Sequence, residues 1–530
     1  MNDDVQQRTL YQWFEGTALR QPGLPALEIG DEVLTYGELR ALALTLADRI
    51  AAKHGSPPTR VALAATRSVA AYAGYLAIQR LGASLVPLNP DYPAQRNLDI
   101  AQRAGVEVAL VDTRSAELFT RLPERHRPTV LALDEDERVS GTASDVLERS
   151  LPPVPDDPDR EAYLMFTSGS TGQPKGVPIR HRNTSLFLAH NIERYEIAPG
   201  ARLTQTFGLT FDASVIDLFA TWGGGATLVV PLAADLYRPI DFVVERELTH
   251  WFSVPSVIRE AQRLGNLPLG RAVNLRHSMF GAEPVTAQHA ELWRAVAPNT
   301  VIHNVYGPTE LTVCCTHHDL SGPSARWPEF SNGTVPIGVP FPGNEMVLLD
   351  ADGLAAEEGE LCVRGAQRFG GYLDPRENAG RFVAYEPDGG PATDYDGSTA
   401  LTDRHWYRTG DRVRRENGLY VHRGRLDQQV KVRGFRIELG EVEAAVHRHP
   451  HVIDAAVLAL PGPDGETELV GAYAGREVDP ERFDAWLREL LPLHMVPASL
   501  THLPGGLPLN DNGKTDRKAL ARILDTTEGS

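Results

Sequence analysis

Lysine is almost missing from this 530-residue chain: Lys53, Lys175, Lys431, Lys514 and Lys518 are the only five, and arginine supplies the rest of the 52 basic residues. The basic residues form no run, and 70 acidic residues leave a formal net charge of -18. A nucleic-acid partner needs a basic patch or stripe to neutralise phosphates, so that class is excluded. Cysteine is equally scarce. Cys314, Cys315 and Cys362 offer neither a CxxC spacing nor an even framework, which argues against a disulfide scaffold or a thiolate zinc site and for a reducing compartment. No run of eighteen apolar residues occurs, so no membrane span is expected. The start, Met1-Asn2-Asp3-Asp4, lacks the basic and apolar regions of a secretory leader. A soluble, cytoplasmic protein is the expectation.

What is present is a globular composition, 42% hydrophobic and 23% charged, in a chain longer than a single core usually spans. From residue 60 onward, short apolar runs alternate with amphipathic stretches. Strands are expected at 60–66, 83–88 and 106–111, with helices at 68–81 and 94–103 between them, and the alternation resumes at 226–230, 251–254 and 301–305. That texture predicts parallel α/β layers. Past residue 335 it gives way to turn-separated strands at 345–350 and 360–364, as in a β-rich subdomain, and 388–403 reads as an exposed loop. A further unit starts near Asp427, with strand-like 431–438 and 453–460 and helical 441–449 and 480–491.

An apolar strand, 162–166, runs into Thr167-Ser168-Gly169-Ser170-Thr171-Gly172-Gln173-Pro174-Lys175-Gly176. Hydroxyls, unhindered backbone N–H groups and one ammonium are what a polyphosphate requires. A flexible surface turn has the same composition; the presence of one of five lysines weighs against it. The segment is not a Walker A loop, because Gly176 rather than Ser or Thr follows the lysine and no helix starts there.

Other segments fall in order along the chain: Leu34-Thr35-Tyr36-Gly37-Glu38-Leu39, Leu81-Gly82-Ala83-Ser84, Asn304-Val305-Tyr306-Gly307-Pro308-Thr309-Glu310, Tyr407-Arg408-Thr409-Gly410-Asp411, Gly424-Arg425-Leu426-Asp427, Lys431-Val432-Arg433-Gly434-Phe435-Arg436-Ile437-Glu438 and Asn512-Gly513-Lys514. Together with the phosphate segment they resemble the signature of the adenylate-forming superfamily, which includes acyl-CoA synthetases, luciferases and adenylation domains of nonribosomal peptide synthetases. The resemblance runs from about residue 10 to 521. It implies an α/β fold: a large N-terminal part of layered α/β subdomains with a β-rich subdomain, residues 1–426, and a small mobile α+β lid, residues 427–530.

It also implies roles. ATP and Mg²⁺ are the expected cofactors. Thr167, Ser168, Gly169, Ser170, Thr171 and Lys175 would meet the phosphates, and Gly281, Ala282, Glu283 and Gly307 would complete the ATP-binding set. Thr309 supplies a phosphate hydroxyl and Glu310 the magnesium carboxylate. Tyr306 lies along the adenine face and Asn304 bonds the base edge, while Asp411 accepts from a ribose hydroxyl and Arg425 contacts the ribose or phosphate. Lys514 matches the catalytic lysine, which reaches both the substrate carboxylate and the α-phosphate. At about 4 Å and an effective dielectric of about 20, one such contact is worth roughly 4 kcal/mol, about three decades in rate. Asp427 is the hinge about which the lid then turns to present the Lys431–Ile437 hairpin to an incoming thiol.

Thr210-Phe211-Asp212-Ala213-Ser214 resembles the segment in which peptide-synthetase adenylation domains hold an α-amino group, so Asp212 would pair with an ammonium. A helix N-cap is the plain alternative. The remaining pocket positions carried over are Ala213, Ile216, Phe252, Met279, Gly281, Val305, Val313 and Cys314, all apolar. Such a pocket rejects polar side chains. The expected substrate is an aliphatic amino acid (valine, isoleucine, leucine or 2-aminobutyrate), the expected acceptor a separate holo carrier protein, and the enzyme freestanding. A CoA ligase for a small amino or aryl acid and a non-catalytic regulatory protein of the same fold are the alternatives.

Overall fold

The computed structural model describes residues 7–133, 144–169, 173–324, 327, 331–427, 429–462, 466–509 and 515–527. They divide into two compact units. The larger is built from residues 1–89, 101–165 and 176–426, and the smaller joins 427–530 to 90–100 and 166–175. No helix among the described residues is long and apolar enough to cross a membrane.

Three sheets organise the larger unit. A six-stranded sheet runs in the order Thr129–Ala132, Val108–Val111, Arg60–Ala64, Ser84–Leu88, Glu161–Thr167, Lys175–Arg180. Its first four strands pair in parallel. Val108–Val111 and Ser84–Leu88 are buried at every position, as strands covered on both faces must be. After the glycine-rich segment the chain enters a strand, not a helix, in keeping with the rejected Walker reading.

A nine-stranded sheet carries the centre of the molecule. We label four of its strands β1 (His250–Ser253), β2 (His277–Phe280), β3 (Val301–Tyr306) and β4 (Thr316–Leu320). β1, β2 and β3 are parallel neighbours and β4 returns antiparallel to β3. Successive side chains on a strand point to opposite faces. Trp251, Phe280 and Ile302 accordingly enter one apolar cluster, where Trp251 and Phe280 meet the Trp293 ring at 5.6 and 5.4 Å. Phe252, Met279 and Val305 enter the other, larger cluster. The third sheet contains Asn344–Leu349, Glu358–Gly365, Trp406–Glu416 and Leu419–Arg425, the β-rich texture expected there. The stretch 388–403, expected as loop alone, contributes a two-residue strand, Thr393–Asp394, paired with Phe382–Ala384.

The smaller unit holds a hairpin, Gln429–Val432 with Phe435–Glu438, and a three-stranded sheet packed with the helices Leu439–His447 and Pro480–Leu490. Arg433 and Gly434, at φ 50° and 81°, make the two-residue turn of the hairpin, whose paired left-handed residues match strand twist. The turn by itself accounts for glycine at position 434.

One ordered motif resolves into a helix start. Thr35 caps Tyr36–His54: its hydroxyl accepts from the Glu38 N–H at 3.2 Å, and the Glu38 carboxylate accepts from the Thr35 N–H at 2.8 Å. The Thr35 N–H and hydroxyl, both donating to it, hold the Glu38 carboxyl below its usual range. Removing such a cap costs about 1 kcal/mol. Thr35→Ala is therefore expected to lower the urea midpoint by a corresponding amount, and Thr35→Ser to restore it.

Candidate active site

The parallel strands β1–β3 end where their loops converge, the position at which open α/β sheets hold ligands. Phe252 and Met279 are register partners. A Cβ on Gly281 would lie 3.0 Å from Val305 Cγ2 and 3.8 Å from Phe252 Cε2, so the three positions touch. Ala213, Ile216, Phe252, Met279, Val305, Val313 and Cys314 are all buried and all belong to one apolar cluster. The structure buries these positions, drawn from five separate stretches of chain, in the large apolar core that runs from Leu10 to Val413. It adds one that sequence reasoning missed: Phe207, buried in the same cluster, with its ring 4.7 Å from that of Phe252. No motif flags Phe207; only its place five residues before Asp212 could have drawn attention to it.

Asp212 leads into Ala213–Val215, which continues as a π-turn over Ile216–Ala220. Its side chain makes no cap hydrogen bond, so the N-cap alternative finds no support. The carboxylate lies close enough to Tyr163 and Cys314 to help raise both their pKa values, after burial, which is the larger cause. Cys314 is consequently a neutral thiol and part of the wall. All three cysteines are buried and free.

The loop after β3 is folded tightly on itself. A Cβ on Gly307 would fall 2.5 Å from Cys314 Cα, so glycine is required where the two ends of the loop cross. Thr312 and Val313, neither a glycine, adopt left-handed backbone at φ 55° and 70°. Each such residue costs on the order of 1–3 kcal/mol unless its surroundings hold it. Gln367 does so. Its amide donates to the carbonyls of Leu311, Thr312 and Cys314 at 3.3, 3.2 and 2.7 Å, and its own carbonyl accepts from the Thr312 hydroxyl at 2.7 Å. Gln367 lies in none of the recognisable motifs and was not anticipated.

A second cluster sits beside it. Tyr306 donates its hydroxyl to Asp411 Oδ2 at 2.6 Å, while Asp411 Oδ1 accepts from Arg425 at 3.0 Å and stands 3.0 Å from His422 Nε2. Three residues expected around the nucleoside are therefore in direct contact, with His422 as an unforeseen fourth. Burial, then the Asp411 charge, pushes the Tyr306 phenol far up, so it acts only as a neutral donor. Glu310 is fully buried and accepts from the Tyr372 hydroxyl at 2.7 Å; Thr309, in the same short helical turn, is half-buried. Two expected contacts are engaged elsewhere. The Asn304 amide donates to the Val335 and Pro336 carbonyls at 3.0 and 2.9 Å. The Glu283 carboxylate accepts from the N–H and hydroxyl of Ser256, at the start of a helix, and Ala282 beside it is left-handed at φ 65°.

Phosphate-segment residues Thr167, Ser168, Gly169 and Lys175 belong to the smaller unit. Within it the Ser168 hydroxyl donates to the Arg436 carbonyl at 2.8 Å and the Gly169 N–H to Glu441 at 3.3 Å. Lys175 is buried. Asp427 opens this unit and accepts from the Gln429 N–H at 3.2 Å. Ser170, Thr171 and Lys514 lie outside the described residues.

Residues 14–373 match the model of the AMP-binding enzyme family. Phosphinothricin tripeptide synthetase PhsC of Streptomyces viridochromogenes is 36% identical over 98% of the chain, which spans 45% of that protein. Surfactin synthase subunit 2 of Bacillus subtilis is 33% identical over 97% of the chain, which spans 13% of it, so the chain corresponds to less than half of either curated relative. Among solved structures, the Vibrio cholerae adenylation domain AlmE, in complex with glycyl-adenosine-5'-phosphate, superposes with a TM-score of 0.81 at 25% identity, covering 99% of this chain and 98% of that one. The ordered motifs, the shared fold and the family match agree, and the chain belongs to the AMP-binding, adenylate-forming enzyme family.

Proposed function

We propose that this chain activates an aliphatic L-amino acid (valine, isoleucine, leucine or 2-aminobutyrate) as its acyl-adenylate and passes it to the phosphopantetheine thiol of a separate carrier protein. One observation supports the substrate class: every wall residue is apolar and buried, and the Asp212 carboxylate lies close enough to Cys314 to act on its thiol. Apolar walls offer a polar side chain no replacement for its lost hydration, and the carboxylate offers an α-ammonium its counter-charge. Transfer to a carrier thiol is drawn from the resemblance and from relatives that are peptide synthetases.

The residues fit the nucleotide and its metal. Glu310 offers carboxylate oxygens, one of which accepts from the Tyr372 hydroxyl, and Thr309 offers a hydroxyl. Mg²⁺ takes oxygen ligands, keeps several waters and is commonly bound through one carboxylate plus substrate phosphates, so Glu310 with the Thr309 hydroxyl is a sufficient protein contribution. Bound there, the metal would neutralise phosphate charge. Tyr306 and Asp411 orient the nucleoside, Asp212 orients the amino group, and Lys514 draws the substrate carboxylate and α-phosphate together against their repulsion.

Amino-acid-dependent exchange of pyrophosphate into ATP tests the proposal. Aliphatic amino acids should support exchange and charged ones should not; a chain inert with every proteinogenic and common non-proteinogenic amino acid would refute it. Lys514→Ala should reduce exchange by about three decades. Asp212→Ala should abolish the preference for an amino acid over its desamino analogue, and a retained preference removes the ammonium contact. Gln367→Ala leaves buried carbonyls without donors, at about 1–3 kcal/mol. A rise of roughly tenfold or more in the amino-acid KM, with the ATP KM nearly constant, is the expected result. Efficient loading of CoA without loading of a holo carrier protein would assign the alternative acceptor.

A further inference from the structure

Beneath the pocket wall lies a row of buried imidazoles that the chemistry above does not use. His250 precedes Phe252 by two residues on β1, His277 precedes Met279 by two on β2, and His303 precedes Val305 by two on β3. Two-residue spacing places each imidazole on the face of the sheet that carries the wall. His303 is also the register partner of Met279. The His250 and His277 rings stack at 5.1 Å and 21°, and those of His277 and His303 at 5.3 Å and 20°. Tyr195 packs edge-on to His303 at 4.8 Å.

Fixed acceptors at the two ends set every proton in the row. Asp319, opposite His303 on β4, accepts from His303 Nδ1 at 2.8 Å. A neutral imidazole has one donor and one acceptor. His303 Nε2 is therefore an acceptor and takes the His277 Nδ1 proton across 3.0 Å. At the other end His250 Nε2 donates to the Tyr195 carbonyl at 2.6 Å, so its Nδ1 accepts from the Thr249 hydroxyl at 2.8 Å. Each ring carries one proton. A second one on His303 would set two N–H groups against each other and put a cation face to face with its neighbour.

Burial favours that state and the nearby cations reinforce it, while Asp319 opposes it without reversing it. Asp319 is shared among His303, Arg194 and His317, the last 3.7 Å away. His190 lies beside His317 on the helix that carries Arg194, Arg276 precedes β2, and Cys314 adjoins Tyr195. Burial first, then Arg276 and the neighbouring imidazoles, pushes His250 down to about 4 and His277 to about 3. Despite desolvation, which acts upward, the hydrogen bonds from His303 and Arg194, with the His317 imidazole nearby, hold the Asp319 carboxyl far below the usual range. A histidine depressed in the folded state contributes stability in full above its unfolded value near 6.5, and that contribution is lost as pH falls through 6.5 toward 3–4.

We propose that the His250–His277–His303 stack, anchored by Asp319, is the positioning layer of the amino-acid pocket: with one proton per ring it holds Phe252, Met279 and Val305 in place, and breaking the row's stacking or hydrogen bonds loosens the wall and weakens amino-acid binding before nucleotide binding. The inference rests on the reading of this pocket as the amino-acid site.

Pyrophosphate exchange at pH 7.5 tests it, with KM measured separately for amino acid and ATP. Asp319→Asn and His277→Ala should each raise the amino-acid KM at least threefold while the ATP KM changes less than twofold. His277→Phe keeps a stacking ring and should raise the amino-acid KM less than His277→Ala does. No effect of Asp319→Asn, or an equal rise in both KM values, overturns the proposal. ¹⁵N imidazole shifts give a second readout that needs no variant: three neutral rings at pH 7.5, with Nδ1 protonated in His277 and His303 and Nε2 in His250. A doubly protonated ring there overturns it equally. Should no amino acid support exchange, the functional reading fails on its own, and those shifts alone decide the protonation of the stack.

Discussion

The pleat of three parallel strands governs this molecule. Because side chains alternate along β1–β3, Trp251, Phe280 and Ile302 are committed to one core and Phe252, Met279 and Val305 to the other. A one-residue slip of any strand would exchange those sets, burying an indole where the pocket needs a shorter wall. Register is therefore under double constraint, from the core behind the sheet and from the site in front of it. The stacked histidines add a third, since their hydrogen bonds are made only in this register.

From that frame the loops take their positions by polar ties rather than by packing alone. Asp411 is fixed by Tyr306 and Arg425, and Gln367 fixes the turn that carries Val313 and Cys314. In both cases a buried polar side chain from the β-rich region reaches the nine-stranded sheet, at the end of β3 or in the loop after it. The β-rich subdomain thus acts as a brace for the site.

Much of this was legible in the sequence, because parallel α/β layers write themselves as short apolar runs and the family's motifs fall in order. The expected strands at 60–66, 83–88 and 301–305 are found within a residue or two at each end. The pocket list needed the resemblance, since nothing in the periodicity distinguishes Met279 from a core residue. What stayed illegible has a common cause. Gln367 and His422 act through partners more than ten residues away, at ranges no local pattern encodes. The histidines were invisible because a single buried imidazole reads as ordinary core, and only the register of three strands turns them into a row. Thr35 and Glu38 show the reverse: a recognisable motif whose content is a helix cap.

The left-handed pair Thr312–Val313 limits how such a pocket can be re-engineered. Glycine or asparagine at 313 would relieve backbone strain yet delete the apolar wall, while a bulkier branched residue would add its own strain to a turn already held under tension. Position 313 is thus a poor place to vary size. Ile216, on a π-turn, and Phe252, on a regular strand, have backbones compatible with many side chains. In the proposed pocket, changes of size are therefore tolerated more readily there than in the bent loop.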